Sequence, residues 1–260
     1  MEKEYGLNKG GRWCCMAGLL MLYFVFCGVG SVWGQVDSVA TLLQRVKLAE
    51  DDSTRIAYAD GIAACLEQIP FGEYAQLPAV QFLGYRKCVN ADVELFSWTV
   101  PLEKGQMFYN WFRFKEGEKP YFLKSLSTMD DRQTGWLYYD LVRFEKRKVT
   151  YFVLLGWNRT RNSNRKIVQV CRFMPDGTVS FDHKLLRRGN SRSASLSFEY
   201  SPDGSMMLKQ DKKGKRIVFD HLAPTDSRYE GYYMFYGPDA SYDALVLKDG
   251  EWWFQENVKQ

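Results

Sequence analysis

From about residue 78 onward, apolar and polar side chains alternate with period two, in short runs separated by turn residues. Such alternation puts successive side chains on opposite faces of a pleated ladder, and a helix cannot satisfy it. The runs predict strands over 80–85, 93–100, 107–114, 121–126, 137–144, 150–157, 166–173, 178–182, 194–200, 206–210, 216–220, 232–236, 242–247 and 252–255. Between them stand Pro175-Asp176-Gly177, Pro202-Asp203-Gly204, Lys213-Gly214 and Asp249-Gly250, residue types that reverse a chain tightly. No long helical pattern separates the strands, so the crossovers that parallel pairs require are excluded and an antiparallel sheet is expected. The 16 Tyr, 17 Phe and 8 Trp suit half-buried pleated surfaces.

Two internal echoes support a meander of similar hairpins. Residues 96–114 (FSWTVPLEKGQMFYNWFRF) and 155–173 (LGWNRTRNSNRKIVQVCRF) each run from a Trp through a polar loop to an Arg-Phe pair. Pro175-Asp176-Gly177 followed by Asp182-His183 is echoed by Pro202-Asp203-Gly204 followed by Asp220-His221. Repetition of this kind fits a sandwich, with a propeller-like arrangement as the second reading. Ser201-Pro202-Asp203-Gly204 resembles the turn of TolB-type propeller repeats, but it occurs in full once.

Residues 37–69 carry a different period. Val39, Leu42, Leu43 and Val46 form one helical stripe, with Asp37 or Ser38 as the expected N-cap. Ile56, Ala59, Ile62, Ala63, Leu66 and Ile69 form a second, after Asp51-Asp52-Ser53 as turn and cap and before Pro70 as terminator. The connection is short, so the two helices are expected as an antiparallel hairpin packed on the β domain. The expected class is therefore α+β, mostly β, with a helical hairpin over 35–77 and an antiparallel β domain over 78–260.

The first 34 residues read as a signal peptide. Lys3, Lys9 and Arg12 precede an uncharged stretch with the apolar core 19–26, and small residues near Gly34 place cleavage after it. Cys27 follows Phe24-Val25-Phe26, which argues against lipidation there. The whole chain has 35 basic and 31 acidic residues. The leader holds three basic residues and two acidic ones (Glu2, Glu4), leaving 32 and 29 in the mature chain. That near-balance offers no field for nucleic acid. Cys65, Cys88 and Cys171 remain of the six cysteines. Cys65 and Cys88 are the candidate disulfide, provided the second helix packs on the first strand. Cys171, inside a strand, reads as a core residue.

Chemistry-bearing motifs are sparse. The only histidines, His183 and His221, each follow an aspartate, and Asp182, His183, Asp220 and His221 are the weak catalytic candidates. Their expected role is structural, with imidazoles bonding to loop backbone at strand ends. There is no Gly-x-Ser-x-Gly elbow, phosphate loop or cysteine/histidine spacing for zinc, and no metal or other cofactor is expected. Trp157, Asn158, Arg161, Asn164 and Arg165, in and beside a polar hairpin loop, are candidate ligand contacts, since Arg and Asn suit carboxylates, phosphates and sugars. Asp239, Tyr242 and Asp243, around a Gly-Pro-Asp turn, are the second candidate set. Of Trp252 and Trp253, one is expected in the core and the other at a covered edge or as a binding platform.

FSWTVPLEKG (96–105), GWLYYDLV (135–142), LLGWNRTRNSNRKIVQV (154–170), RIVFDHLAP (216–224) and FYGPDASYDALVLKDGEWWFQ (235–255) together resemble a group of exported proteins of Bacteroidota with no assigned activity. The resemblance covers about residues 78–256 and implies the envelope of a Gram-negative bacterium, in the periplasm or at the outer membrane. It carries no site residues. The favoured function is a non-catalytic binding or structural component whose partner is an envelope protein or a glycan. The alternative is an envelope hydrolase built from Asp and His at strand ends.

Overall fold

The computed structural model describes residues 32–88, 91–115, 120–128 and 135–259. Most of the expected leader, residues 1–31, lies outside them. Two helices open the described chain: α1 (Val32–Leu48) and α2 (Asp52–Glu67). Asp51 caps α2 as expected, accepting the Thr54 N–H at 2.8 Å and the Thr54 hydroxyl at 2.6 Å. The cap expected at Asp37 or Ser38 is not one. The helix already runs through them, and the Ser38 hydroxyl donates back to the Gly34 carbonyl.

Among the described residues fifteen strands follow in three sheets. The first sheet has the order β1 (Gly84–Lys87), β2 (Val93–Leu102), β3 (Gly105–Phe114), β4 (Tyr121–Ser127). The second has β11 (Ser195–Tyr200), β7 (Asn164–Phe173), β6 (Val149–Arg159), β5 (Leu137–Lys146), with β8 (Val179–Ser180) paired to β7. The third has β10 (Ser191–Ser193), β9 (Leu186–Arg188), β15 (Glu251–Gln255), β14 (Tyr236–Lys248), β13 (Arg216–Pro224), β12 (Leu208–Gln210).

The sheets are antiparallel apart from one ladder. β9 and β15 pair in parallel through Leu186–Trp252 and Arg187–Trp253, against the expectation of a wholly antiparallel sheet. The chain between them makes its crossover through strands and 3-10 turns instead of a helix, a route that helical periodicity cannot signal. β9 and β10 were not expected either, being three residues each. The strand expected at 232–236 is instead a 3-10 turn, Tyr233–Phe235, leading into β14.

Three cores hold these layers together. Val39, Leu43, Ile62 and Leu66 of the helices pack on Phe96, Trp98, Tyr109 and Trp111. The opposite face of the first sheet, Val93, Leu95 and Phe112, packs on Leu141, Leu154 and Ile167 of the second. The far face of the second sheet, Val142, Val153, Leu155 and Val168, packs on Ile217, Phe219, Leu245 and Trp252 of the third. The central strands of the two inner sheets are thus covered on both sides, which explains why β6 reads as an almost unbroken apolar run from Tyr151 to Trp157.

This layering also decides the cysteines. Cys65 belongs to the core under the helices and Cys88 to the core on the other face of the first sheet, so the expected disulfide is not formed. Cys171 is fully buried, and burial pushes its thiol well above the ordinary range, so it stays protonated. Trp252 is the core member of its pair, and Trp253 is covered by the Arg187 guanidinium, 4.9 Å from its ring.

Candidate functional site

The connection between β13 and β14 forms an aromatic tip. Asp226 caps its first 3-10 turn, Ser227–Tyr229, by accepting the Arg228 N–H at 2.9 Å, and also pairs with the Arg228 guanidinium. The Tyr229 and Phe235 rings stack at 4.2 Å. Thr225 N–H donates to the Phe235 carbonyl, and Gly231 N–H to the Tyr236 hydroxyl. At its base, the Ser201 N–H donates to the Tyr236 carbonyl and ties the tip to the end of β11. The backbone is therefore fixed, yet Tyr232 is 63% exposed, Tyr233 51%, Met234 42% and Phe235 37%. Lone exposed apolar residues are commonplace, whereas four in sequence on an internally bonded turn form a patch.

Along the same hairpin a register shift between Asp220 and Leu222 brings His221 to Asp243. The His221 Nδ1 lies 2.8 Å from the Asp243 Oδ2, and the other Asp243 oxygen accepts the Asn257 N–H at 3.1 Å. The hydrogen bond to Asp243 raises the imidazole pKa above its ordinary value, helped by the charges of Asp243, Asp239 and Glu256 and opposed by partial burial. Asp243 is buried while the imidazole is 40% exposed. Such a pair can hold and orient a proton. Among the described residues no serine, threonine or cysteine bonds to His221, and the nearby Ser241 hydroxyl donates to Asp239 instead.

The other candidates scatter. His183 lies in the segment before β9, its ring edge-on to Tyr151 at 5.1 Å. Its Nε2 is buried with no hydrogen-bond partner among the described residues, and burial lowers its pKa. Neither imidazole bonds to loop backbone as expected: one meets a carboxylate and the other a ring. Two strands, β15 and β14, separate β9 from β13, so the two Asp-His pairs do not converge. Asp182 is exposed, and Asp220 accepts the Met207 N–H. The second echo is therefore not a structural repeat, while the first corresponds to the β2–β3 and β6–β7 hairpins.

The polar loop 158–165 is turned inward. Asn158 is buried and accepts the Ser127 hydroxyl at 3.0 Å and the Arg159 N–H at 2.6 Å. Asn164 Nδ2 donates to the carbonyls of Ser201, Pro202 and Gly204. Arg165 pairs with Glu199, and Trp157 is half-buried against Phe108. Of this candidate set only Arg161 is exposed. In the other set, Asp239 accepts the Ser241 N–H and hydroxyl as a turn former, and Tyr242 is half-buried.

The aromatic tip was missed as a site because its Tyr and Phe content reads as strand. Glu230-Gly231, with Gly231 at φ 85°, is the signal that could have marked a turn there. Among the described residues no three His, Cys, Asp or Glu side chains gather to hold a metal, and no helix is long and apolar enough to cross a membrane. Comparison with protein families, with curated proteins and with solved structures finds no match to this chain.

Proposed function

We propose that this is an exported envelope protein that binds a partner protein through the β13–β14 tip and catalyses no reaction. The observation that carries the reading is the internally bonded tip with Tyr232, Tyr233, Met234 and Phe235 exposed. Tyr, Met and Phe are the side chains enriched at interface centres, and a pre-ordered turn loses little entropy on docking. The charged-then-apolar stretch 1–34 supports export, with Gln35 as the mature N-terminus and α1 shortened by its first three residues, and the resemblance to exported Bacteroidota proteins supports a Gram-negative envelope. The test is affinity capture from the native envelope with the wild type and with Tyr232→Ser/Tyr233→Ser. A captured protein lost in the variant, at unchanged melting temperature, supports the reading. Capture unaffected by the variant, or capture of glycan alone, contradicts it.

The His221–Asp243 pair favours a second reading, an envelope hydrolase in which the imidazole serves as general base. It requires a substrate or water to bring the nucleophile that the described side chains do not bond to His221. Turnover of an envelope substrate that His221→Asn abolishes at unchanged stability would select it.

A further inference from the structure

The first sheet is incomplete along one edge. β1 pairs with β2 only from Lys87–Glu94 to Gly84–Ser97, although β2 runs on to Leu102. Upstream of Gly84 the chain leaves the sheet: Phe82 takes a left-handed φ of 69°, and Leu83 N–H closes a turn onto the Val80 carbonyl. Gly84 itself approaches β2 so closely that a Cβ there would lie 2.5 Å from the Ser97 Oγ. No described strand takes up the line of β1 beyond this point.

The register fixes what this edge offers. Cys88 N–H donates to the Val93 carbonyl on the β1 side, and Lys115 N–H to the Asp92 carbonyl on the β3 side. Alternation along an antiparallel strand then directs the groups of residues 93, 95, 97, 99 and 101 towards β1. Thr99 presents one N–H and one C=O to the missing position. Pro101 presents a C=O alone, which keeps the edge short and blunts sheet-to-sheet aggregation.

A groove of about 490 Å³ occupies that position, within the roughly 300–1,000 Å³ range of ligand sites. Leu43 and Val46 of α1 and Trp98 wall it on the helix side, Leu137 and Tyr139 of β5 on the second-sheet side, and Phe82 closes the end where β1 stops. Lys47, the one charged residue among the described lining, lies with Nζ 3.2 Å from the Phe82 ring centroid. A chain laid along β2 would send alternate side chains into these two apolar walls while its backbone met Thr99.

We infer that this groove takes a short extended peptide of a partner, which adds to the first sheet as a strand beside Thr99–Pro101 and carries consecutive apolar side chains. The main-chain donor and acceptors select an extended polypeptide. The walls on both faces select an unbroken apolar run instead of an alternating one. This surface lies on the first sheet and is separate from the aromatic tip on the third.

The test uses phage-displayed random octapeptides selected on the whole protein, with the recovered peptides then measured in solution. The expected result is a set of extended apolar sequences whose affinity falls at least tenfold with Phe82→Asn and with Leu137→Lys. Asn tolerates the left-handed backbone at position 82, and both variants should keep the wild-type melting temperature. Binding should also slow hydrogen exchange of the Thr99 amide at least tenfold, and N-methylation of alternate peptide residues should abolish it. Tyr232→Ser/Tyr233→Ser should bind the peptides as the wild type does. Recovery of no groove-dependent peptide, or binding that leaves Thr99 exchange unchanged, would overturn the inference.

Discussion

Arg113 and Glu94 show how single residues hold the layers in register. Glu94 is fully buried in β2 and accepts hydrogen bonds from the Gly72 N–H at 3.0 Å, the Tyr85 hydroxyl at 2.6 Å and the Arg113 guanidinium at 2.6 Å. The same guanidinium donates to the Leu66 and Ile69 carbonyls at the end of α2. One planar fork thus satisfies a buried carboxylate and the open end of a helix together. Arg113→Ala should cost about 3–5 kcal/mol in chemical denaturation, because it strands the Glu94 charge in the core. Arg113→Lys should recover only part of that, since a point charge cannot serve both sets of acceptors. His221 makes the converse case for pH. Its folded pKa is raised chiefly by Asp243, so the stability it contributes is fully present below its unfolded value, about 6.5, and is lost as pH rises through the folded pKa. The melting-temperature advantage of the wild type over His221→Asn should therefore shrink between pH 6 and pH 8.5; an advantage that grows over this window would contradict the assigned pair. Neither constellation was legible in the sequence. Glu94 and Arg113 lie on different strands, and His221 reaches Asp243 only through a register shift that alternation does not reveal.

Elements were far more legible. Turn residues and β-rich runs located most of the strands, and Asp51 announced α2 through its capping chemistry. The failures fall where local pattern and tertiary contact part company. Residues 32–36 join α1 ahead of the expected cap, with Val36 buried in the core beneath the helices. Asn158 and Asn164 look like a solvated recognition loop, but their partners, Ser127 and Ser201–Gly204, are distant in sequence, so the inward turn has no local signal. The β2–β3 hairpin gives an element-scale test. Gly105 sits at φ 129°, and a Cβ there would stand 2.2 Å from the Ser127 carbonyl oxygen. Gly105→Ala should therefore displace β4 from β3 and cost about 2–3 kcal/mol, measured by denaturant titration. A cost below about 0.5 kcal/mol, the level of an ordinary surface substitution, would contradict the close approach.

At the scale of the molecule, the helices and three sheets form successive layers, and the central strands of the two inner sheets are covered on both faces. Surface chemistry is left to edges and connections: the unfinished edge of β2, and the β13–β14 tip that carries the aromatic patch beyond its own sheet. The class and the helical hairpin could be read from periodicity. The stacking order could not, because sheets that are buried on both faces look alike in sequence whichever neighbour covers them. The aromatic tip is proposed to contact a partner protein. The most direct measurement of that contact is photo-crosslinking in cells with a photoreactive amino acid at Tyr233, compared with one at Lys209, which is exposed on β12. A discrete crosslinked protein is expected from position 233 and none from position 209. Equal or absent crosslinking at the two positions would contradict it.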